Sequence, residues 1–259
     1  MNPIVVKIGG SLIASPEELA SFWKNVSVLR KKAPVVIVHG GGKQATELAK
    51  RLGHTPEIVQ GRRVTSDLDL KTVHWAMCGK INTELVAEAN MHGLSAVGLT
   101  GADANMLRVT RRPPWDVEGE TVDFGWVGDV AHVNTDLISA ILGADSTPVI
   151  APLGFDEDGA TYNVNADTVS AAIAKALPAS ELLFVTETGG LCPSPDIRET
   201  LKICNRTTYE SGVENGWITG GMRVKLRTGF EALESGVNEV CILAADDLVD
   251  REQATKLVP

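Results

Sequence analysis

The chain has little that would tie it to nucleic acid, to a membrane or to an oxidising compartment. Lys and Arg number 24 against 33 Asp and Glu, a formal net charge of -9, and nowhere do basic residues gather into the block that a phosphate backbone requires. No stretch approaches the roughly 18 apolar residues of a membrane span, and the start, MNPIVVKIGG, lacks the charged segment and long apolar run of a secretory leader. A cytoplasmic protein is the expectation. The four cysteines, Cys78, Cys192, Cys204 and Cys241, show no C-x-x-C spacing and no neighbouring His cluster. That supports neither a zinc site nor a disulfide framework and leaves reduced thiols of core or loop. Internal repeats and low-complexity segments are missing too. So is the G-x-G-x-x-G fingerprint, which argues against an NAD-dependent oxidoreductase. GGGK at Gly40–Lys43 lacks the upstream Gly and the following Ser or Thr of a Walker A loop, so Lys43 need not touch phosphate.

What remains is a chain of 259 residues, 44% hydrophobic, long enough for a large core in one domain or two intimate lobes. Its organising stretch is the opening run Ile4, Val5, Val6, Ile8, interrupted by Lys7 and closed by Gly9, Gly10 and Ser11. Short, β-branched and bounded by glycines, it reads as a buried strand. Burying Lys7 there costs several kcal/mol unless an anion sits opposite. The anion is either a ligand reached by backbone N–H groups at the glycine turn, or Lys7 simply snorkels at a strand edge.

The same alternation continues. A helix from Ser15 to about Lys32 leads to a buried strand at Pro34–Val38, which empties into His39, Gly40, Gly41, Gly42 and a helix over Ala45–Leu52. Strand, glycine loop and helix together present free N–H groups to an anion. Arg62 and Arg63 after Gly61 read as a solvated pair, one of which could fork onto a carboxylate. A long helix over Ser66–His92 follows, with Trp75 and Met77 among small residues that suit packing on another helix. Next come a strand at Leu94–Leu99, hairpins over Met106–Val133 usable as a lid, a helix capped by Asn134 and a strand at Pro148–Pro152. Asn165 and Asp167 serve at least as cap and first-turn acid of a helix to Ala176; Asn163 is not explained that way. Beyond Leu177 a second lobe is expected: a strand at Glu181–Val185, a loop through Cys192–Pro195, a helix at Thr207–Glu214, a glycine-opened helix after Thr219, a strand at Asn238–Leu243 and a last edge strand at Thr255–Val258. The alternation implies an α/β fold, a three-layer α/β/α sandwich with a mainly parallel open sheet in two lobes, residues 1–177 and 178–259.

Five islands in order, VKIGGSL (Val6–Leu12), VHGGG (Val38–Gly42), GRRVT (Gly61–Thr65), NVNAD (Asn163–Asp167) and TGGMRVK (Thr219–Lys225), resemble the amino-acid kinase (carbamate kinase-like) family, and within it the acetylglutamate kinase branch. The resemblance implies ATP-dependent phosphorylation of the γ-carboxylate of N-acetyl-L-glutamate in arginine biosynthesis, with Mg²⁺ carried by the nucleotide and no metal ligands of the protein's own. It implies that Lys7 and Lys225 flank the phosphoryl group with Asp167 between them. Gly9, Gly10, Gly41 and Gly42 would offer N–H groups to the phosphoryl oxygens and the attacking carboxylate. Arg63 and Asn163 would hold the α-carboxylate. Thr186, Glu187, Thr188, Gly189, Gly190, Trp217, Ile218 and Thr219 would line the nucleotide pocket, although Glu187-Thr188-Gly189-Gly190 stands where the family tends to carry Asp-Val-x-Gly. A homodimer built on the long helix, insensitive to arginine, is the implied assembly. A carboxylate nucleophile is already ionised, so only positioning and charge stabilisation are needed, and no Ser-His-Asp constellation is required. N-succinyl-L-glutamate or another acyl-amino acid, its extra carboxylate met by Arg108, Arg111 or Arg112, and a catalytically idle sensor of nucleotide or metabolite remain the alternatives.

Overall fold

A computed structural model describes residues 2–117, 119–193 and 199–259. In chain order its strands are β1 (Ile4–Ile8), β2 (Val35–His39), β3 (Ile58–Val59), β4 (Arg62–Arg63), β5 (Ala96–Thr100), β6 (Leu107–Arg111), β7 (Trp115–Val117) and β8 (Glu120–Val122). They continue as β9 (Gly128–Val133), β10 (Thr147–Ala151), β11 (Leu153–Phe155), β12 (Thr161–Asn163), β13 (Glu181–Val185), β14 (Ile203–Cys204), β15 (Glu239–Leu243) and β16 (Thr255–Leu257). The helices are α1 (Gly10–Ile13), α2 (Pro16–Arg30), α3 (Gly42–Arg51), α4 (Asp67–Val73), α5 (Asn82–Met91), α6 (Asp136–Gly143), α7 (Ala166–Ala176), α8 (Arg206–Glu214) and α9 (Gly220–Glu234).

Eight strands form one sheet in the order β14-β16-β15-β13-β1-β2-β10-β5. β1 lies at its middle, parallel to β13 on one side and β2 on the other, and all five of its residues are buried. Because successive side chains point to opposite faces, each strand feeds two cores. Val6, Ile8, Ile37 and Leu183 pack under α2 and the helices around Met77 and Leu85. Val5, Val36, Ile150 and Phe184 pack under Val169 and Ile173 of α7 and Phe230 of α9. Helices therefore cover both faces, the three-layer arrangement that the strand–helix alternation implies. A smaller sheet, β12-β11-β6-β9, and the hairpins β3-β4 and β7-β8 complete the fold.

Several boundaries differ from the sequence reading. The helix expected from Ala45 begins at Gly42, because the third glycine of the loop is itself helical. The long helix expected over Ser66–His92 is α4 and α5 joined by a π-helical stretch, His74–Ile81. Thr255–Leu257 is not an edge strand: it runs antiparallel to β15 and is covered by the two-residue β14, which carries no period for a pattern to reveal. The loop expected at Cys192–Pro195 passes out of the described residues after Pro193, and the hairpin region over Met106–Val133 contains one residue, 118, outside them.

Candidate active site

In a parallel sheet the C-terminal strand ends and the helix N-termini that follow gather on one edge, where ligands bind. Here that edge holds Gly9 and Gly10 after β1, Gly40–Gly42 after β2, and Asn163–Asp167 leading into α7. They surround one cavity of about 550 Å³ with Lys7, Arg62, Arg63 and Arg112 also in its wall.

The local reasons are specific. Asn165 caps α7, its side chain accepting from the Thr168 N–H at 3.0 Å, which sets Asp167 in the first turn. Gln44 of α3 donates to the Gly10 carbonyl at 2.7 Å and so ties the two glycine turns together. A Cβ on Gly41 would fall 2.5 Å from Ile81 Cδ1 and 3.0 Å from Met77 Cγ, so the π-helical stretch packs directly under the turn. His39 and Gly40 share a contact of 2.8 Å through Nδ1, and Asn82 Nδ2 lies 3.1 Å from His39 Nε2 and 2.9 Å from the Val149 carbonyl. With Nδ1–H donating, Nε2 accepts, and the ring is neutral; burial pushes its pKa down to about 4.

At the floor, the Lys7 and Lys225 ammonium groups meet the same oxygen, Asp167 Oδ1, at 2.9 and 2.7 Å. All three residues are buried. Burial acting alone would raise the Asp167 carboxyl, but Lys225 and then Lys7 hold it down to about 2. Burial lowers Lys225 to about 8, Lys7 adding to the shift and Asp167 opposing it. Lys225 Nζ also lies 4.9 Å from the Phe184 ring centre, a cation–π contact. Two ammonium groups on one carboxylate leave a positive charge uncompensated, in a place where it acts strongly on an anion. Lys225 reaches Asp167 from α9 and is not itself part of the cavity wall.

The paired arginines are not a solvated feature. Arg63 does meet a carboxylate, but one of the protein's own: it bonds Asp69 at 3.2 Å, the Gly42 carbonyl at 2.9 Å and Thr46 Oγ1 at 2.5 Å. Arg62 is buried beside Trp115. Asn163 lines the cavity while its amide donates to Thr65 Oγ1 at 3.2 Å. The residues expected at the nucleotide stand apart from this cavity. Thr188 and Gly189 line a small one of about 260 Å³, whereas Ile218 and Thr219 line another of about 480 Å³. Thr186 Oγ1 lies 3.3 Å from Thr188 Oγ1, and Glu187 reaches Lys43 across the cleft at 3.6 Å. Gly190 packs against Thr200, and Trp217 and Ile218 pack on Gly212. Sequence reasoning gave Phe184 and Asn82 no part in this site, and no local pattern marks them; His39 and Arg62 lie inside quoted islands, but no role was assigned to His39 and the residues alone left the choice between Arg62 and Arg63 open. Among the described residues no cluster of three His, Cys, Asp or Glu is placed to hold a metal. The four thiols are free, and burial raises Cys78 and Cys204 to about 11 and Cys241 to about 12, well away from reactive thiolates.

An open α/β sandwich that buries two lysines on one aspartate between glycine turns defines a protein built to hold and neutralise anions at its strand ends. Residues 2–244 match the model of the amino acid kinase family, and the chain belongs to that family. It is 38% identical over 247 residues to the acetylglutamate kinase of Methanopyrus kandleri, covering 95% of this chain and 96% of that protein. It is 38% identical over 258 residues to the acetylglutamate kinase of Cytophaga hutchinsonii, covering 98% and 96%. The crystal structure of smu.665 from Streptococcus mutans superposes with a TM-score of 0.83 at 25% identity, over 99% of this chain and 98% of that one.

Proposed function

We propose that the chain transfers the γ-phosphoryl group of ATP to the side-chain carboxylate of N-acetyl-L-glutamate, giving N-acetylglutamyl 5-phosphate and ADP, a step toward arginine. The carrying observation is the Lys7–Asp167–Lys225 cluster against the glycine turns, in a chain that matches acetylglutamate kinases along most of its length. One carboxylate oxygen attacks the γ-phosphorus while the bond to the ADP oxygen breaks, and charge spreads over the three equatorial oxygens. Lys7 and Lys225 neutralise that charge from the two sides of the cleft, and Asp167 fixes both ammonium groups. The N–H groups of Gly9, Gly10, Gly41 and Gly42 orient the phosphoryl oxygens and the nucleophile. Arg63, immobilised by Asp69 and Thr46, keeps two of the five N–H groups of a guanidinium for the substrate's α-carboxylate, which Asn163 shares. Thr186–Gly190 and Trp217–Thr219 flank the nucleotide from the C-terminal lobe, residues 178–259; residues 1–177 hold the acyl-amino acid and the dimer contact.

The donor set fits Mg²⁺ carried by the nucleotide, since the buried carboxylate nearest the reaction, Asp167, is already bonded to two lysines. The ion would neutralise phosphate charge while keeping several waters. An idle sensor needs neither ammonium group, and both are in place. The cytoplasm is the compartment that fits this activity; no helix among the described residues is long and apolar enough to cross a membrane. The test is an ADP-release assay with MgATP and N-acetyl-L-glutamate. Turnover that falls roughly a hundredfold to a thousandfold in Lys225→Ala is expected, the usual effect of losing one donor aimed at developing charge; an unchanged rate in that variant would sink the reading.

A further inference from the structure

Arg63 is held from behind by a carboxylate that does not line the cavity. Asp69 lies in the first turn of α4, where it completes a capping box with Ser66, but the cap occupies only part of it. Its Oδ2 accepts from Ser66 Oγ at 2.6 Å and from the Ser66 N–H at 3.2 Å, and stands 2.9 Å from His54 Nε2. Its Oδ1 accepts from Arg63 Nη1 at 3.2 Å. The Asp69 side chain is 2% exposed, that of Arg63 7% and that of His54 30%. Neither Asp69 nor His54 belongs to the cavity wall, whereas Arg63 does.

Chemistry settles which group donates between His54 and Asp69. Burial works to raise the Asp69 carboxyl, but the bonds from Ser66 and His54 hold it below its ordinary value, so it is ionised and can only accept. His54 Nε2 therefore carries the hydrogen. The ring reaches this place because Gly53, at φ +77, turns the chain off the end of α3 and the His54 N–H closes onto the Ala49 carbonyl at 3.0 Å. Arg63 Nη2 meanwhile bonds the Gly42 carbonyl at 2.9 Å and Thr46 Oγ1 at 2.5 Å, both on the first turns of α3. The result is a closed circuit. One end of α3 grips Nη2 of the guanidinium, and the other end, through His54 and Asp69, grips Nη1. A guanidinium reads a carboxylate as a planar fork, so whatever sets its plane decides whether its remaining N–H groups meet a ligand in line. Ser66 ties Asp69 only to its own helix; His54 is the partner that ties it back to α3.

We infer that His54 is a positioning residue for the substrate's α-carboxylate: by donating to Asp69 it orients the carboxylate that fixes the Arg63 fork. This rests on the reading above that Arg63 receives the α-carboxylate, and it adds the residue pair that sets how well that group is held. His54 touches neither substrate nor reacting atoms, and the α-carboxylate takes no part in the bonds made and broken at phosphorus. Loss of the His54 bond therefore weakens binding of ground state and transition state alike, which appears in KM and leaves kcat.

The experiment compares N-acetyl-L-glutamate with its α-amide, which keeps the acyl group and the γ-carboxylate but carries no charge at the α position. Steady-state kinetics with MgATP and calorimetry are run on the intact chain, His54→Leu, His54→Gln, Arg63→Gln and the double variant of His54→Leu with Arg63→Gln, and melting curves confirm that each is folded. In His54→Leu the KM for the acid should rise roughly fivefold to tenfold, the worth of one hydrogen bond, with kcat within about twofold and the amide's constants unmoved. His54→Gln, whose amide nitrogen can take the place of Nε2, should recover most of the loss. In the Arg63→Gln background His54→Leu should add nothing, since the effect runs through Arg63. An unchanged KM, a fall in kcat alone, equal losses for acid and amide, no recovery in His54→Gln, or the same loss without Arg63 would each overturn the inference while leaving the kinase intact. An intact chain that binds acid and amide equally would remove the α-carboxylate from Arg63, and the inference with it. If neither compound is phosphorylated, the kinase reading fails by itself. Calorimetry then decides the positioning role: acid binding weakened in His54→Leu with amide binding unmoved supports it, and unweakened acid binding overturns it.

Discussion

Lys225 carries the clearest pH signature, because its charge is both required and expensive. Burial, reinforced by Lys7, holds it at about 8, below its ordinary 10.5. Phosphoryl transfer needs the ammonium form, so kcat/KM should fall as pH rises through about 8, with the cluster titrating as a unit. Lys225→Arg, which stays charged, should move that alkaline limb upward even if turnover drops; a limb still near 8 in the variant would assign the titration elsewhere. The stability effect has the opposite slope. Between about 8 and 10.5 the unfolded chain holds a proton that the folded chain has released, so this group makes stability rise with pH there. Asp167, held at about 2 against an ordinary 3.8, contributes stability that is present above 3.8 and lost as pH falls through about 2. Its replacement should be severe: Asp167→Asn leaves two buried ammonium groups facing each other, a loss of about 3–5 kcal/mol, comparable to breaking a buried ion pair. Urea denaturation measures it, and a loss below about 1 kcal/mol would mean that water reaches and solvates the lysines.

At the scale of elements, the glycine turn after β2 is held from behind. The π-helical stretch sets Met77 and Ile81 under Gly41, and α5 opens with Asn82, whose amide serves both His39 and the Val149 carbonyl. Gly98 on β5 makes room for that amide, since a Cβ there would fall 2.2 Å from Asn82 Oδ1. Asn82→Ala should leave a buried carbonyl and the His39 ring without a donor, costing about 1–3 kcal/mol, and the freed turn should weaken KM for the acyl-amino acid more than kcat. An unchanged melting temperature and KM would show the network to be ornamental. A second contact closes the site from the front. Gly61, at φ +76, lies so near the start of α9 that a Cβ would stand 3.1 Å from Gly220 Cα. Gly61→Ala meets both a left-handed backbone and a backbone wall, and α9 carries Lys225. Turnover should therefore fall along with stability, while a variant as active as the parent would show that the hairpin does not hold α9 in place.

For the whole molecule, the strand–helix alternation and the apolar strands made the layered sheet legible, because buried parallel strands announce themselves as short β-branched runs. The cluster was legible only through resemblance. Lys7, Asp167 and Lys225 are far apart in sequence, and it is the pairing of β1 between β13 and β2, with α7 and α9 on one face, that brings them together. Phe184, beside Lys225, stayed hidden for the same reason, and the two-residue β14 was too short to carry a period. Surface association leaves a trace of a different kind. Trp75, on the π-helical stretch, is 55% exposed and Met91, at the end of α5, is 84% exposed. β5, on which α5 packs, ends the eight-stranded sheet with an open edge. An exposed tryptophan and an exposed methionine on one helical run, which packs through α5 on an edge strand, suit a self-complementary contact, for which a two-fold dimer is the commonest solution. Light scattering should give about twice the 27.5 kDa chain mass. Trp75→Glu, placing a charge against its own copy across the two-fold axis, should shift the mass to the monomer without unfolding the chain, since Trp75 lies outside both cores. A monomeric parent protein at micromolar concentration, or a dimer indifferent to Trp75→Glu, would remove this face as the interface.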